Sequence, residues 1–469
     1  MNITSKLLQF FQWICRFNFG DFEKEEFKKF LRMGLIFVLI IGVYWTLRAP
    51  LKDSIFVSLC SALQLPYAKT ISVLSLLPLV IFYTKLLEST SRERMLVILP
   101  TFYGITILFL SGLMLFVQAS PDVIAARSII PWLGTKFLGY FWYVFVESFG
   151  SLAPALFWAF ASDSTDPATA KRGFPLIYAF GQFGGIIFPY SIGSLPARLG
   201  FQTDAFSMAI LGALTLLIIP VVRYFLRSTP KHLLVPFHGK NEKEEKSKQE
   251  AGFLEGLKLI LKHRYLLGIF AVNFVFEVIV TIFDFNFKIA AAQEYSGVTL
   301  SRYLSLFGSS VNIVSFACLL LGVSNITRFL GVGTALVAMP IIFSGALFGF
   351  LTINSLSFFF MLMVGSKAIN YALNGPALKQ LYIPTTPDVR FKALAWIETF
   401  GSRSAKQGGS NFNMLLAPFQ KAFGAIAGRA HYLMLSGVVG VSLLVLWLFT
   451  AIYLGRKFKA AVDNKKVIC

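Results

Sequence analysis

The sequence predicts an all-α polytopic membrane protein of about twelve transmembrane helices arranged as two six-helix halves. Three observations carry this. Of 469 residues, 56% are hydrophobic and 14% charged, against about 45–50% and roughly 25% in soluble domains. Twelve stretches approach the length of about 20 apolar residues that a spanning helix needs, and one long charged segment separates the first six from the last six. A composition this apolar excludes a soluble multidomain enzyme.

The chain carries 43 Lys+Arg against 23 Asp+Glu, a formal charge of +20. A nucleic-acid partner would need those cations clustered on one water-exposed face. Here they lie between long apolar runs, which leaves membrane orientation and anion handling as the readings. Cys15, Cys60, Cys318 and Cys469 are scattered without Cys-x-x-Cys spacing, so neither a metal site nor a disulfide framework is indicated. No cofactor is called for, and no oligomeric state is legible.

Residues 1–31 form an amphipathic cytoplasmic segment, in which Lys6 to Arg16 reads as a basic stretch lying on the membrane surface. The N-terminal bundle, 32–226, opens with a segment over about 32–60 that is too long for a plain span and is interrupted by Arg48, Pro50 and Lys52. The next five spans are expected at about 70–90, 95–119, 132–162, 173–195 and 204–226. Residues 227–260 form a charged cytoplasmic loop containing the run Asn241–Glu250, with room for one short helix. The C-terminal bundle, 261–456, has spans at about 265–290, 302–324, 331–352, 355–377, 391–418 and 432–455, and 457–469 is a basic tail. Six spans, a loop and six spans is the layout of transporters built from two halves.

Lys and Arg accumulate in cytoplasmic loops. With twelve spans, Arg16, Lys24, Lys28 and Lys29, the loop at Arg92 and Arg94, the pair Lys171–Arg172, the central loop and the tail at Arg456 all fall on one side. Both termini are then cytoplasmic.

Much of the positive charge is therefore topology, and the informative residues are those inside spans, where each ionisable group costs roughly 2.5–3.5 kcal/mol. Arg48 and Lys52 are four apart and share a helical face, so they can present two donors to one anion; the bland alternative is that they snorkel outward or pair with Asp53. Glu147 in the fourth span calls for a cation, with Lys136 and Arg48 as candidates, or serves as a gating acid. Glu277 and Asp284 lie on nearly one face of the seventh span, with Lys288 one turn on, an arrangement equally suited to coupling and to a structural acid–base ladder. The eleventh span collects Arg390, Lys392, Glu398, Arg403 and Lys406 before Gly408-Gly409-Ser410. Arg forks match phosphate oxygens and Gly admits close backbone approach; the alternative is a short surface helix. No Walker loop, nucleophile elbow, dinucleotide fingerprint or paired-His motif is present.

Tyr44-Trp-Thr-Leu-Arg48-Ala-Pro-Leu-Lys52-Asp53 resembles the Leu-Arg-x-x-Lys-Asp signature of the nucleotide transporters of intracellular bacteria and plastids, the ATP/ADP translocase family. In the same order, Glu147 with Phe157-Trp158-Ala-Phe-Ala161, Ala170-Lys171-Arg172 with Pro175-Leu176, Tyr382-Ile383-Pro384, and Lys392, Glu398, Arg403 and Lys406-Gln-Gly-Gly-Ser410 are similar to family motifs, although Phe149 replaces the Trp that follows the first glutamate. The resemblance implies a fold like that of the major facilitators, and a secondary transporter exchanging nucleotides by alternating access in a bacterial inner membrane. It implies roles for Lys52, Glu147, Glu277 and Lys392 or Lys406. Substrate binding is thus expected of Arg48, Lys52, Lys392, Arg403 and Lys406, and coupling or gating of Glu147, Glu277 and Asp284. Family relatives exchange ATP for ADP, exchange NAD for ADP or import nucleotides with protons. This chain departs at Asn370-Tyr-Ala-Leu-Asn-Gly-Pro-Ala-Leu378-Lys379, where three charged family positions are lost and an acid becomes Lys, and at Thr281-Ile-Phe283, where the family has Trp-Lys. Both departures point to shifted selectivity. The reading from another class is a multi-span enzyme using Glu147 or Asp284 as a base on a phosphorylated lipid.

Overall fold

The structure is a computed structural model that describes residues 23–90, 92–119, 135–165, 167–230, 233, 252–320, 331–386, 393–394, 396–464 and 466–468. The amphipathic stretch 6–16, most of the charged loop and Lys392 lie outside the described residues.

Twelve helices follow the order read from the sequence: α1 (Lys24–Leu59), α2 (Leu65–Ser89), α3 (Arg92–Ala119), α4 (Thr135–Asp163), α5 (Pro167–Phe188), α6 (Ala205–Ser228), α7 (Arg264–Glu294), α8 (Gly297–Leu320), α9 (Val332–Thr352), α10 (Leu356–Ile369), α11 (Ser402–Asn413) and α12 (Ala425–Asp463). Among the described residues, eight of them (α1, α3–α7, α9 and α12) contain spans long and apolar enough to cross a membrane. A short helix, Gly252–Lys262, precedes α7, and another, Leu416–Phe423, follows α11. α12 has 39 residues, about 58 Å at 1.5 Å per residue, against a hydrocarbon core of about 30 Å. It is thus longer than a span needs; its last turns expose Arg456, Lys457 and Lys459, and the basic tail is helical through Asp463.

The expected interruption of the first span is a widened turn. Residues Leu47–Leu51 form one π-helical turn around Pro50, because proline lacks the N–H and its ring collides with the carbonyl four residues back. The helix widens locally and continues. The same device recurs after α5 at Pro189–Gly193, and proline-free π-turns follow α10 at Asn370–Asn374 and precede α11 at Ile397–Gly401.

The chain divides into two compact units. One comprises residues 1–55, 76–239 and 297–309; the other comprises 56–75, 240–296 and 310–469. In the first unit α1 packs most extensively on α5 and α3 on α6. A Cβ on Gly184 of α5 would lie 2.3 Å from the Val38 carbonyl of α1, so only glycine permits this backbone approach, as expected where small residues seat one membrane helix on another. Phe37 stacks on Phe157 at 4.6 Å and meets Trp158 edge-on at 5.1 Å, joining α1 to α4. Buried Ser301 of α8 donates to Asp204 Oδ2 at 2.7 Å and lies 2.6 Å from Ser54 Oγ.

The second unit is organised around α7, which packs against α10, α11 and α12. Its aromatic centre is fully buried Trp447 with Phe343 at 5.4 Å and Phe276 at 6.2 Å. The unit also holds a buried polar chain: Tyr432 donates to Asn413 Oδ1 at 2.7 Å, and Asn413 Nδ2 donates to the Thr281 carbonyl at 3.2 Å.

Candidate substrate site

In the first unit the π-turn delivers Lys52 to the interior. Trp142 of α4 donates its indole N–H to the Leu51 carbonyl at 3.1 Å, which pins α4 against the turn. Tyr143 and Glu147 are four apart on α4 and so share a face. The Lys52 ammonium bonds Glu147 Oε1 and sits 4.5 Å from the Tyr143 ring centre, a favourable cation–π distance. The Lys52 side chain is 5% exposed and that of Glu147 32%, so the pair opens to solvent on the carboxylate side. Glu147 is thus paired with Lys52, a partner that the sequence did not single out; Lys136 is exposed at the start of α4. Arg48 donates to the Tyr44 hydroxyl and lies 5.4 and 5.7 Å from the Tyr44 and Trp45 rings. This half-buried guanidinium is held flat against aromatic faces, which suits a planar donor fork.

In the second unit Glu277 of α7 accepts from Ser402 at 2.8 Å, and Lys406 lies 3.5 Å from the same oxygen. Ser402 and Lys406 are one turn apart on α11, and Arg403 beside them is half-buried. Lys406 is 47% exposed, so this bond is screened and easily exchanged for another anion. α11 has 12 residues, shorter than the span expected at 391–418, and it packs on α7, where a Cβ on Gly409 would lie 2.8 Å from Thr281 Cβ and 3.1 Å from the Val278 carbonyl. Gly409 therefore admits close packing of α11 on α7.

Asp284 takes partners of its own. Its carboxylate lies 2.7 Å from Lys288, 3.3 Å from Lys69 of α2 and 3.8 Å from Lys367 of α10. Glu277 and Asp284, expected to act along one face, are committed to different cations. Lys69, Lys367, Ser402 and Tyr143 were missed in the sequence. Lys367 gave a usable signal as a lysine within an apolar run; Lys69 sits at a span boundary that charge alone does not mark. Among the described residues no group of three or more His, Cys, Asp or Glu could hold a metal ion.

A sequence model described as TLC ATP/ADP transporter matches residues 9–458. The chain belongs to the TLC ATP/ADP transporter family. As a TLC-family protein it is a multi-pass membrane transporter and not an enzyme, which sets aside the lipid-enzyme reading. It is 25% identical to ADP,ATP carrier protein 1 of Rickettsia prowazekii over 95% of this chain and 96% of that one. It is likewise 25% identical to the plastidic ATP/ADP-transporter of Solanum tuberosum over 94% of this chain and 74% of that one. Among solved structures, a bacterial homologue of the iron transporter ferroportin in an inward-facing state superposes with a TM-score of 0.60 at 13% identity, over 91% of this chain and 99% of that one. A bacterial homologue of the human lysosomal transporter Spinster, inward-facing and unoccupied, gives 0.55 at 16%, over 94% and 99%. These likenesses show that the TLC-family chain has the fold of major-facilitator-like transporters.

Proposed function

We propose that this chain exchanges nucleotides, ATP for ADP or a related pair, across a bacterial inner membrane by alternating access, with both termini cytoplasmic. The observation that carries the proposal is family membership over nearly the whole chain joined to the Lys52–Glu147 bond. A membrane-buried cation kept neutral by an internal carboxylate is available to a phosphate chain when the carboxylate lets go. Lys406 on Glu277 repeats the arrangement in the second unit. Arg48, Arg403 and Lys392 would add donors for phosphate oxygens, and Glu147, Glu277 and Asp284 would hold the cations when substrate is away.

The test is uptake of labelled ATP, ADP and NAD by cells expressing the chain, compared with empty vector. Uptake of at least one nucleotide is expected, and none above vector for all three overturns the proposal. Within this function, a shift of selectivity away from strict ATP/ADP exchange is favoured by one local feature. The π-turn after α10 carries no charge: Asn374, 1% exposed, donates to Oδ1 of Asn370 at 2.9 Å, and Asn370 stands where the resembling exchangers have Lys. NAD/ADP exchange and proton-coupled import are the two forms such a shift would take; unlabelled competitors identify the nucleotide, and loss of uptake when an uncoupler collapses the proton gradient marks proton-coupled import.

A further inference from the structure

The charged segment between the two sets of spans ends in the short helix Gly252–Lys262, whose last six residues, Leu257-Lys-Leu-Ile-Leu-Lys262, contain no acid. Ile260 is 1% exposed and the helix packs on α7, so the protein fixes its roll. Successive residues of a helix point about 100° apart. With Ile260 turned inward, Leu261 is turned out and is 66% exposed, and Lys258 and Lys262, one turn apart, are exposed on the stripe beside it. His263 has extended backbone, with φ −108° and ψ 109°, which separates the short helix from α7. The first residue of α7, Arg264, is exposed as well. Among the described residues, Lys258, Lys262 and Arg264 are held by no carboxylate.

α7 is long and apolar enough to span a membrane, and it starts directly after His263, so Leu261 stands at the edge of the hydrocarbon layer. A helix divided in this way lies in the interface, with its apolar side in the acyl region and its lysine stems running up to the headgroups. Zwitterionic lipid covers the leucine and leaves the three cations uncompensated. An anionic headgroup answers both. We propose that the helix Gly252–Lys262 docks on the membrane surface as a site for anionic phospholipid, with Leu261 in the acyl layer and Lys258, Lys262 and Arg264 on the headgroup phosphates. The site is independent of which solute the chain carries.

The test is hydrogen exchange of the full chain, read by mass spectrometry over residues 252–262, in nanodiscs of phosphatidylcholine and in nanodiscs of phosphatidylglycerol holding one copy each. In wild type, exchange of this helix is expected to be slower in phosphatidylglycerol by about tenfold or more, since each lysine near an anionic surface is worth roughly a fivefold gain. Lys258→Gln combined with Lys262→Gln is expected to lose most of that difference, and Lys258→Arg combined with Lys262→Arg to keep it. Thermal unfolding and exchange over α7 check that each variant is folded. Equal exchange in the two lipids in wild type, or a difference that survives in the folded glutamine pair, overturns the proposal. Slowing only in discs that hold two copies would assign the face to a second copy of the chain and overturns it too. Leu261→Gln gives a separate reading: exchange in phosphatidylglycerol is expected to quicken several-fold, and an unchanged rate contradicts the place of the leucine in the acyl layer. Because exchange is read without transport, failure here is separate from failure of nucleotide uptake in cells.

Discussion

Lys52 is the side chain on which the most chemistry depends. Its ammonium is buried against Tyr143 and bonded to Glu147, so removing either charge has unequal consequences. Lys52→Ala should insert at the wild-type level and lose nucleotide uptake, because the carboxylate left behind is partly exposed and can take water. Glu147→Gln should be worse for stability: stranding a buried charge costs about 3–5 kcal/mol, reduced here by the one-third exposure of the carboxylate. We expect a lower melting temperature in detergent for Glu147→Gln, substantially restored in the double variant Lys52→Met with Glu147→Gln, while uptake stays lost in both. A double variant no more stable than the single one would show that the pair is not the source of the cost. Lys52, Glu147, Glu277 and Asp284 were legible in the sequence because an ionisable group in an apolar run stands out against its insertion cost. Their partners were not, since Glu147 lies 95 positions from Lys52 and Lys69 lies 215 from Asp284, separations that only folding closes.

The π-turns are where elements and function meet. Widened turns at Leu47–Leu51 and Ile397–Gly401 border Lys52 and Ser402, and the one at Asn370–Asn374 begins three residues after Lys367; such insertions often mark functional positions in helices. Pro50→Ala should let the turn relax toward α-helix and rotate Lys52 away from Glu147. The expected outcome is wild-type membrane insertion with strongly reduced uptake; unchanged uptake would mean that the turn does not set the lysine's direction. At Gly409, any larger side chain meets Thr281 and the Val278 carbonyl, so Gly409→Val should destabilise by about 1–3 kcal/mol, read as a loss in melting temperature. The 20-residue apolar ruler made the order of the helices legible and, among the described residues, eight of the twelve expected spans; α10, with 14 residues, and the polar α11, with 12, fall short of it. Of the four π-turns among the described residues, two contain a proline that hinted at them, whereas Asn370–Asn374 and Ile397–Gly401 contain none, and the hydrogen-bond shift that defines them leaves no compositional trace.

For the molecule as a whole, the surplus of Lys and Arg divides between loops and the interior. The exposed cations at the end of α12 continue a helix too long for the bilayer, which suits a cytoplasmic C-terminus. A reporter active only in the cytoplasm should signal when fused after Cys469, and a reporter active only outside should stay silent; the reverse result would invert the orientation. The charged loop suggests two halves, 32–226 and 261–456, whereas the compact units group 56–75 with the later residues and 297–309 with the earlier ones; that grouping depends on tertiary packing of segments whose composition resembles their neighbours'. The central claim, obligatory exchange of nucleotides through a site that uses Lys52, is tested most directly in proteoliposomes preloaded with ADP or left empty and then given labelled ATP, ADP or NAD. Uptake that requires the internal nucleotide and disappears in Lys52→Ala is the predicted result. Labelled nucleotide entering no faster than into protein-free liposomes, with every internal load, would contradict it.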